Sequence, residues 1–262
     1  MEKRQNAQIY VFCHKTVPYG FRQDSLYSSL EVGTDCREQH PDAEYHDNSI
    51  ADNISQLNPI FAELCGQWWI WKKTEEKMGL RGEPGIVGQT QYRRVLDLPE
   101  DFNFNELERC AITCRHLALG CSVAQQFCNC HSRKYLGELA DIIKAHYPDY
   151  VEDWHRYIEL DNKIYYSNGF ILREDDYCNY SKWLFDILFK WVNGRSVAEI
   201  QDMVRADIKT GACVNNSAGR QGYFYAAQIP AFFSERLWTL WVRHNFENIL
   251  EIPYTLKENS GI

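Results

Sequence analysis

Two arginines, Arg93 and Arg94, stand at the exit of the apolar run in "GIVGQTQYRRVLDLPEDF", residues Gly85 to Phe102. A single guanidinium at a strand exit says little. Two adjacent ones, planar and permanently charged, look like a receiver for an anion whose oxygens they can bind bidentately. The residues just before them, Gln91 and Tyr92, extend the polar patch. Other chemistry-bearing residues stand at the ends of apolar segments or in loops. His14 and Lys15 close the strand-like "AQIYVFCHK", where an open α/β sheet places its ligands, although the pair also suits a surface. Asp52 and Asn53 fall in a loop, and Asn168 interrupts a second apolar run. Glu235 and Arg236 sit inside the apolar "IPAFFSERLWTLWVRHNF", where a carboxylate needs either solvent or a reason to be there. A helix-surface pair is the plain alternative, since neighbours on a helix diverge and one flank can face water.

Several familiar chemistries are missing. The chain has no glycine-rich phosphate loop, no G-x-G-x-x-G after a strand, no H-E-x-x-H and no G-x-S-x-G, which removes the common nucleotide hydrolase, dehydrogenase, zincin and esterase readings. Its 28 basic and 36 acidic residues leave a net charge of -8, which repels a phosphate backbone, so no nucleic-acid partner is expected. The 10 cysteines include a dense group, Cys110, Cys114, Cys121, Cys128 and Cys130 with His131. Their irregular spacing favours buried thiols over a structural zinc, and a zinc-stabilised module is kept only as a minor alternative. The apolar run Ile9 to Phe12 is too short for a signal core and no run approaches ~18 residues, so a cytoplasmic protein is expected.

These residues must be positioned by a fold that the periodicities outline. At 262 residues with 45% hydrophobic and 14% aromatic content, the chain can bury a large core, and one α/β domain with a helical appendage is expected. "DAEYHDNSIADNIS" reads as an acidic loop carrying Asp42, Glu44, Asp47 and Asp52. Asn58 is expected to cap a helix with Pro59 in its first turn. One continuous helix, "PIFAELCGQWWIWKK", would put Phe61, Leu64, Cys65, Trp68 and Trp71 or Lys72 on its inward side, with Glu63 off that face compensating the helix dipole. "KIYYSNGFIL" reads as a strand with a bulge or close backbone approach at Asn168 and Gly169. "DDYCNYSKWLFDILFKWVNG" is an amphipathic helix with Tyr177, Tyr180, Leu184, Phe185, Leu188 and Trp191 inward. Pro230 starts a further helix with Phe233, Leu237, Leu240 and Trp241 on one stripe.

The ordered series "IYVFCHK", "YSSLEVG", "DNSIADNISQLNPIFAELCGQWWIWKK", "IVGQTQYRR", "YYSNGFIL", "KWLFDILF" and "SERLWTLW" resembles a bacterial capsular-polysaccharide family. That family is catalogued as domain of unknown function 4422, and its members are similar to nucleotide-sugar glycosyltransferases. The resemblance implies an α/β fold: a single-domain, glycosyltransferase A-like mixed sheet flanked by helices, with a helical appendage. It implies one domain over 1–262, with a nucleotide-sugar-binding half at 9–105 and an acceptor or helical half at 106–250. His14, Lys15, Asp52, Asn53, Gln91, Tyr92, Arg93 and Arg94 would bind the donor; Asn168, Glu63 and Arg236 would meet the acceptor or sugar. Gln91 stands where the family usually has histidine, and Gly169 occupies the middle of its Asn-Met-Phe motif.

The activity so implied moves a hexose from a nucleotide-diphosphate sugar to a capsule or O-antigen type acceptor, glycan or lipid-linked, with peripheral inner-membrane association. The runner-up is a non-catalytic glycan-binding or assembly subunit. Departure of the diphosphate needs a fixed positive charge. No Asp-x-Asp motif is present, so no cofactor is firmly expected and Arg93 and Arg94, helped by Lys15, are assigned that role. The general base for the acceptor hydroxyl is expected in Glu235 first and Asp52 second. Tyr92, Trp68 and Trp69 could stack on a sugar, with the two tryptophans better suited to the core. Arginine neutralisation predicts turnover that survives EDTA and gains nothing from Mn²⁺. A change of orders of magnitude in a transfer assay would move the role to a metal on acids such as Asp47 and Asp52.

Overall fold

The computed structural model describes residues 7–14, 26–39, 42–81, 83–96, 98–99, 102–104, 110–213 and 223–256. Its strands are β1 (Ala7–Cys13), β2 (Tyr27–Glu31), β3 (Tyr45–His46), β4 (Ile86–Gln91), β5 (Arg94–Leu96), β6 (Cys110–Cys114), β7 (Leu117–Ala118), β8 (Lys163–Ile164), β9 (Phe170–Arg173), β10 (Asn248–Ile252) and β11 (Tyr254–Leu256). The helices are α1 (Asn58–Phe61), α2 (Leu64–Arg81), α3 (Val123–Cys128), α4 (Arg133–His146), α5 (Val151–Trp154), α6 (Glu174–Val192), α7 (Val197–Thr210), α8 (Tyr223–Ala226) and α9 (Ile229–Asn245). The main sheet runs β10-β6-β9-β4-β1-β2-β3, with β5 joining β4 and β11 joining β5. It is mixed: β1 is parallel to both β2 and β4, whereas β9 is antiparallel to β4 and β6. A mixed α/β sheet flanked by helices is the expected class.

β1 lies inside the sheet, between β4 and β2, and its residues are apolar on both faces, as a strand covered on both sides requires. Tyr10 and Phe12 enter the larger core with α2, α6 and α9, while Ile9 and Val11 join the smaller core with Tyr27, Ile86, Ile112 and Ile171. The inward stripe expected of α6 is buried throughout. α9 goes beyond its expected stripe: Trp238 stacks on Phe170 at 4.1 Å between centroids, and its indole donates to Thr113 Oγ1 at 2.9 Å. The opposite side of α9 is also covered, leaving Glu235 8% and Arg236 3% exposed. They are not a helix-surface pair.

Two expectations are corrected. The predicted continuous helix over residues 59–73 is broken at Ala62, which adopts φ 48. Asn58 is the first helical residue, not the cap: its amide donates to the Ala62 carbonyl at 2.8 Å and its oxygen accepts from Arg37 at 2.6 Å. "KIYYSNGFIL" is not one strand with a bulge. β8 pairs with β7 in a separate ribbon, β9 enters the main sheet, and Ser167 and Asn168 between them take φ 71 and 49. Left-handed backbone at such residues costs about 1–3 kcal/mol each. Gly169 follows because a Cβ there would lie 2.8 Å from the Tyr254 hydroxyl oxygen.

The acidic loop owes its shape to Asp47, which is fully buried. Its carboxylate accepts from Gly33 N at 2.6 Å, Thr34 N at 3.1 Å, Thr34 Oγ1 at 2.6 Å and Ser55 Oγ at 2.8 Å. Asp47→Ala strands these donors. It is expected to lower unfolding free energy by ~2–4 kcal/mol in urea titrations, and an unchanged midpoint would contradict this role.

Candidate functional site

The chain leaves β1 toward β2 and β3 on one side, then returns to place β4 on the other. This makes the carboxyl ends of β1 and β4 the topological switch point, where open α/β sheets leave a crevice for ligands. His14 follows β1, and its ring meets Tyr92 edge-on at 5.3 Å. Tyr92 N–H donates to Phe12 O at 3.1 Å, so the ends of the two strands are tied together. The half-buried Arg37, which sequence reasoning missed, donates to the His14 carbonyl at 3.1 Å. It thus lies against the same strand end from the β2 side.

β4 does not run out into solvent. Gln91 pairs with Arg94 across a two-residue turn made of Tyr92 and Arg93, and Thr90 Oγ1 locks it by donating to Arg94 O at 2.7 Å and accepting from Leu96 N at 3.0 Å. The turn parts the two arginines. Arg93 lies 5.1 Å from the Tyr92 ring, and its Nε is buried with no partner among the described residues. Arg94 reaches the other way, donating to Ser167 Oγ at 2.8 Å and covering the Tyr166 ring at 4.9 Å.

Two carboxylates share this crevice through the left-handed turn. The helix break at Ala62 swings Glu63 toward the sheet, where its Oε1 accepts from Gln91 Nε2 at 3.2 Å and Asn168 Nδ2 at 3.0 Å. Asn168 also donates to Ser234 Oγ at 2.8 Å. Glu235 accepts the Ser167 N–H at 3.0 Å on one oxygen and pairs with Arg236 at 2.9 Å on the other. Arg236 is held in turn by Phe232 O, by Gln126 and over the Phe127 ring.

Loss of solvent raises the Glu63 carboxyl above its usual range, against the pull of Asn168, Gln91 and Arg94. Burial likewise raises Glu235, with the charge of Glu63 adding to it and Arg236, the Ser167 N–H and Arg94 opposing. The Tyr166 and Tyr225 phenols are pushed up first by burial and then by neighbouring charge. These groups form one electrostatic unit.

Other expected site residues lie apart from this unit. Asp52 is exposed, 3.5 Å from Lys72 Nζ, while its backbone carbonyl accepts from Trp68. Asn53 bonds within its own turn, to Ile50 O and Ser55 N. Lys15 lies outside the described residues. Trp69 is core, and Trp68 packs on Phe185 and Lys72. Asp47 is engaged by four donors and Asp52 by lysine, so the acids proposed for a metal do not fit one. Among the described residues no three His, Cys, Asp or Glu side chains converge, the cysteine-rich segment included. Ser167, Tyr166, Ser234 and Tyr225 join the site without having been foreseen. Only Ser167 had a signal, its place beside Asn168 in a turn-forming pair.

Residues 8–206 match the family described as Domain of unknown function (DUF4422). The chain belongs to the DUF4422 family. No curated protein sequence matches this DUF4422 chain. Its fold is similar to that of WbbM, a bifunctional glycosyltransferase solved in its apo state, at a TM-score of 0.68 and 20% identity over 97% of this chain. It spans 45% of the WbbM chain, somewhat under half. The DUF4422 match includes Glu63, Gln91 to Arg94 and Asn168 but ends before α9, whereas the structural likeness takes in nearly the whole chain.

A carboxyl raised by burial binds its proton more tightly folded than unfolded, so its contribution to stability is complete below the unfolded value of about 4.3 and is lost as pH rises through the folded one. Glu63→Gln removes that loss. Urea titrations from acid to neutral pH should show the variant gaining on the wild type as pH climbs; a constant difference would mean the carboxyl is not raised.

Proposed function

We propose that this chain is a glycosyltransferase that moves a hexose from a nucleotide-diphosphate sugar to a surface-polysaccharide acceptor of capsule or O-antigen type. One observation carries the reading: at the β1/β4 crevice, Arg94 faces Glu63 and Glu235, two carboxyls that hold their protons above the usual range. Fixed positive charge beside a poised base is what glycosyl transfer from a diphosphate needs. The fold shared with a glycosyltransferase supports it. The donor half, 9–105, supplies His14, Tyr92, Arg93 and Arg94, with Lys15 as their proposed helper. The acceptor half, 106–250, supplies Tyr225 at the surface, with the buried Asn168 and Arg236 supporting the site from behind.

In an inverting transfer the acceptor hydroxyl attacks the anomeric carbon while the bond to the diphosphate breaks and that group departs with the electron pair. Arg94 and Arg93 would neutralise the departing oxygens, and a carboxylate would take the hydroxyl proton. Glu63 suits this role better than Glu235. Both Glu235 oxygens are engaged, by Ser167 and Arg236, whereas Glu63 is half-buried and its two side-chain donors, Gln91 and Asn168, share Oε1. Asp52, exposed beside Lys72, has no comparable support. Glu235 then fixes the turn, its own carboxyl kept raised by burial and by the charge of Glu63. Tyr225, 44% exposed at the rim, is suited to stack on an acceptor sugar. No helix among the described residues is long and apolar enough to cross a membrane; for a lipid-linked acceptor, the proposal is peripheral association with the membrane.

Glu63→Gln should lower kcat by roughly 10²–10⁴ in a transfer assay while leaving nucleoside-diphosphate affinity near that of the wild type. Arg94→Ala should weaken that affinity by about tenfold or more in calorimetry, most at low salt. Normal turnover in Glu63→Gln would return the base to Glu235. Nucleotide or glycan binding with no transfer in the wild type would favour a non-catalytic subunit.

A further inference from the structure

Behind the Ser167–Asn168 turn runs a chain of polar side chains with no access to solvent. Gln89 on β4, Gln67 on α2, and Tyr177 and Ser181 on α6 are all fully buried. Gln89 Nε2 donates to the Asn168 carbonyl at 2.8 Å and lies 3.3 Å from Gln67 Oε1. The Tyr177 hydroxyl donates to Gln89 Oε1 at 2.6 Å, and Gln67 Nε2 donates to Ser181 Oγ at 3.3 Å. A backbone carbonyl only accepts, so the amide end facing Asn168 must be Nε2 and its oxygen is left for the phenol. Apolar side chains could fill this volume without any pairing requirement. What the polar chain adds is direction.

That direction acts on the strained pair. Asn168 is held by Gln89 at its carbonyl and by Glu63 and Ser234 at its side-chain amide, while Ser167 is held by Glu235 at its N–H and by Arg94 at its hydroxyl. We propose that Gln89 is a positioning residue. Its carboxamide, oriented from behind by Tyr177 and Gln67, fixes the turn that presents one hydrogen-bond donor to Glu63 and another to Glu235. The catalytic side of this inference rests on the glycosyltransferase reading; the geometric side does not. Glu63 is also faced by Gln91 from β4, Arg94 from β5, Glu235 from α9, Tyr225 from α8 and Cys65 from α2, all of which keep their identity when Gln89 or Tyr177 is changed.

The test uses the full chain with ¹³C-carboxyl glutamate, the Glu63 signal being assigned by its loss in Glu63→Gln. Tyr177→Phe removes only the hydroxyl that orients Gln89, and Gln89→Met removes the donor at similar length. Where Gln89→Met fails to fold, Tyr177→Phe carries the test. In either variant the Glu63 titration midpoint should move up by about half to one pH unit as Asn168 loosens. With any nucleotide-sugar substrate the wild type turns over, kcat should fall roughly tenfold with KM little changed, and the acid limb of the rate profile should follow the midpoint. A purely architectural Gln89 would lower the melting temperature and leave the midpoint and the kcat of the folded enzyme where they were, which overturns the proposal. If the wild type transfers no sugar, the glycosyltransferase reading fails, yet the midpoint still decides whether Gln89 positions Asn168.

Discussion

Ser167 and Asn168 hold the candidate site together because each is pinned in a backbone shape it would not choose. Two successive left-handed non-glycine residues are unfavourable by themselves, and burial removes the water that would otherwise satisfy their polar groups. Their partners come from β4, β5, α9 and the break before α2. Every one of these elements must be docked before the turn is satisfied. Conversely, once the turn is satisfied it fixes where Glu63, Glu235 and Arg94 can lie. The helix break at Ala62 belongs to the same constraint: a continuous helix would carry Glu63 around to another face.

Charge in this crevice is arranged more for geometry than for stability. Glu235 and Arg236 are both almost wholly buried, and such pairs recover little of their desolvation cost. Their geometry is tightly defined, with Gln126, Phe232 and Phe127 holding the guanidinium and Ser167 the carboxylate. Glu63 differs in keeping part of its surface open. The two carboxyls differ in freedom, one locked and one partly open, and the charge of the open one acts through space to hold the locked one's proton.

Much of the fold was legible because hydrophobic period reports burial directly. β1 and β4 read as apolar runs, and the inward faces of α6 and α9 read as stripes. The Ala62 break was not legible, since alanine is a strong helix former and nothing local marks it. It exists because tertiary contacts outweigh propensity. "KIYYSNGFIL" read as one strand because its apolar halves match, although they serve different sheets. At the site, Arg94 and Asn168 could be singled out by type and place, but their partners could not. Ser167, Ser234, Tyr166 and Tyr225 are ordinary residues whose meaning comes from what lies opposite. Asp52 lies apart from this group, beside Lys72, and a polar loop looks the same in sequence whether it faces a ligand or a lysine.

The ribbon of β5 and β11 has a consequence for how the molecule comes into being. β11 pairs Leu256 with Arg94 and Tyr254 with Leu96, and the Tyr254 hydroxyl donates to the carbonyl of Tyr166, beside the strained turn. A stretch made more than 150 residues after Arg94 therefore braces the strand on which that arginine stands. A nascent chain on the ribosome could form β1, β2 and β4 early, yet the edge that carries Arg94 would stay unbraced until that later stretch had been made. Long-range closure of this kind folds slowly, so half-made copies would be unable to assemble a competent cleft.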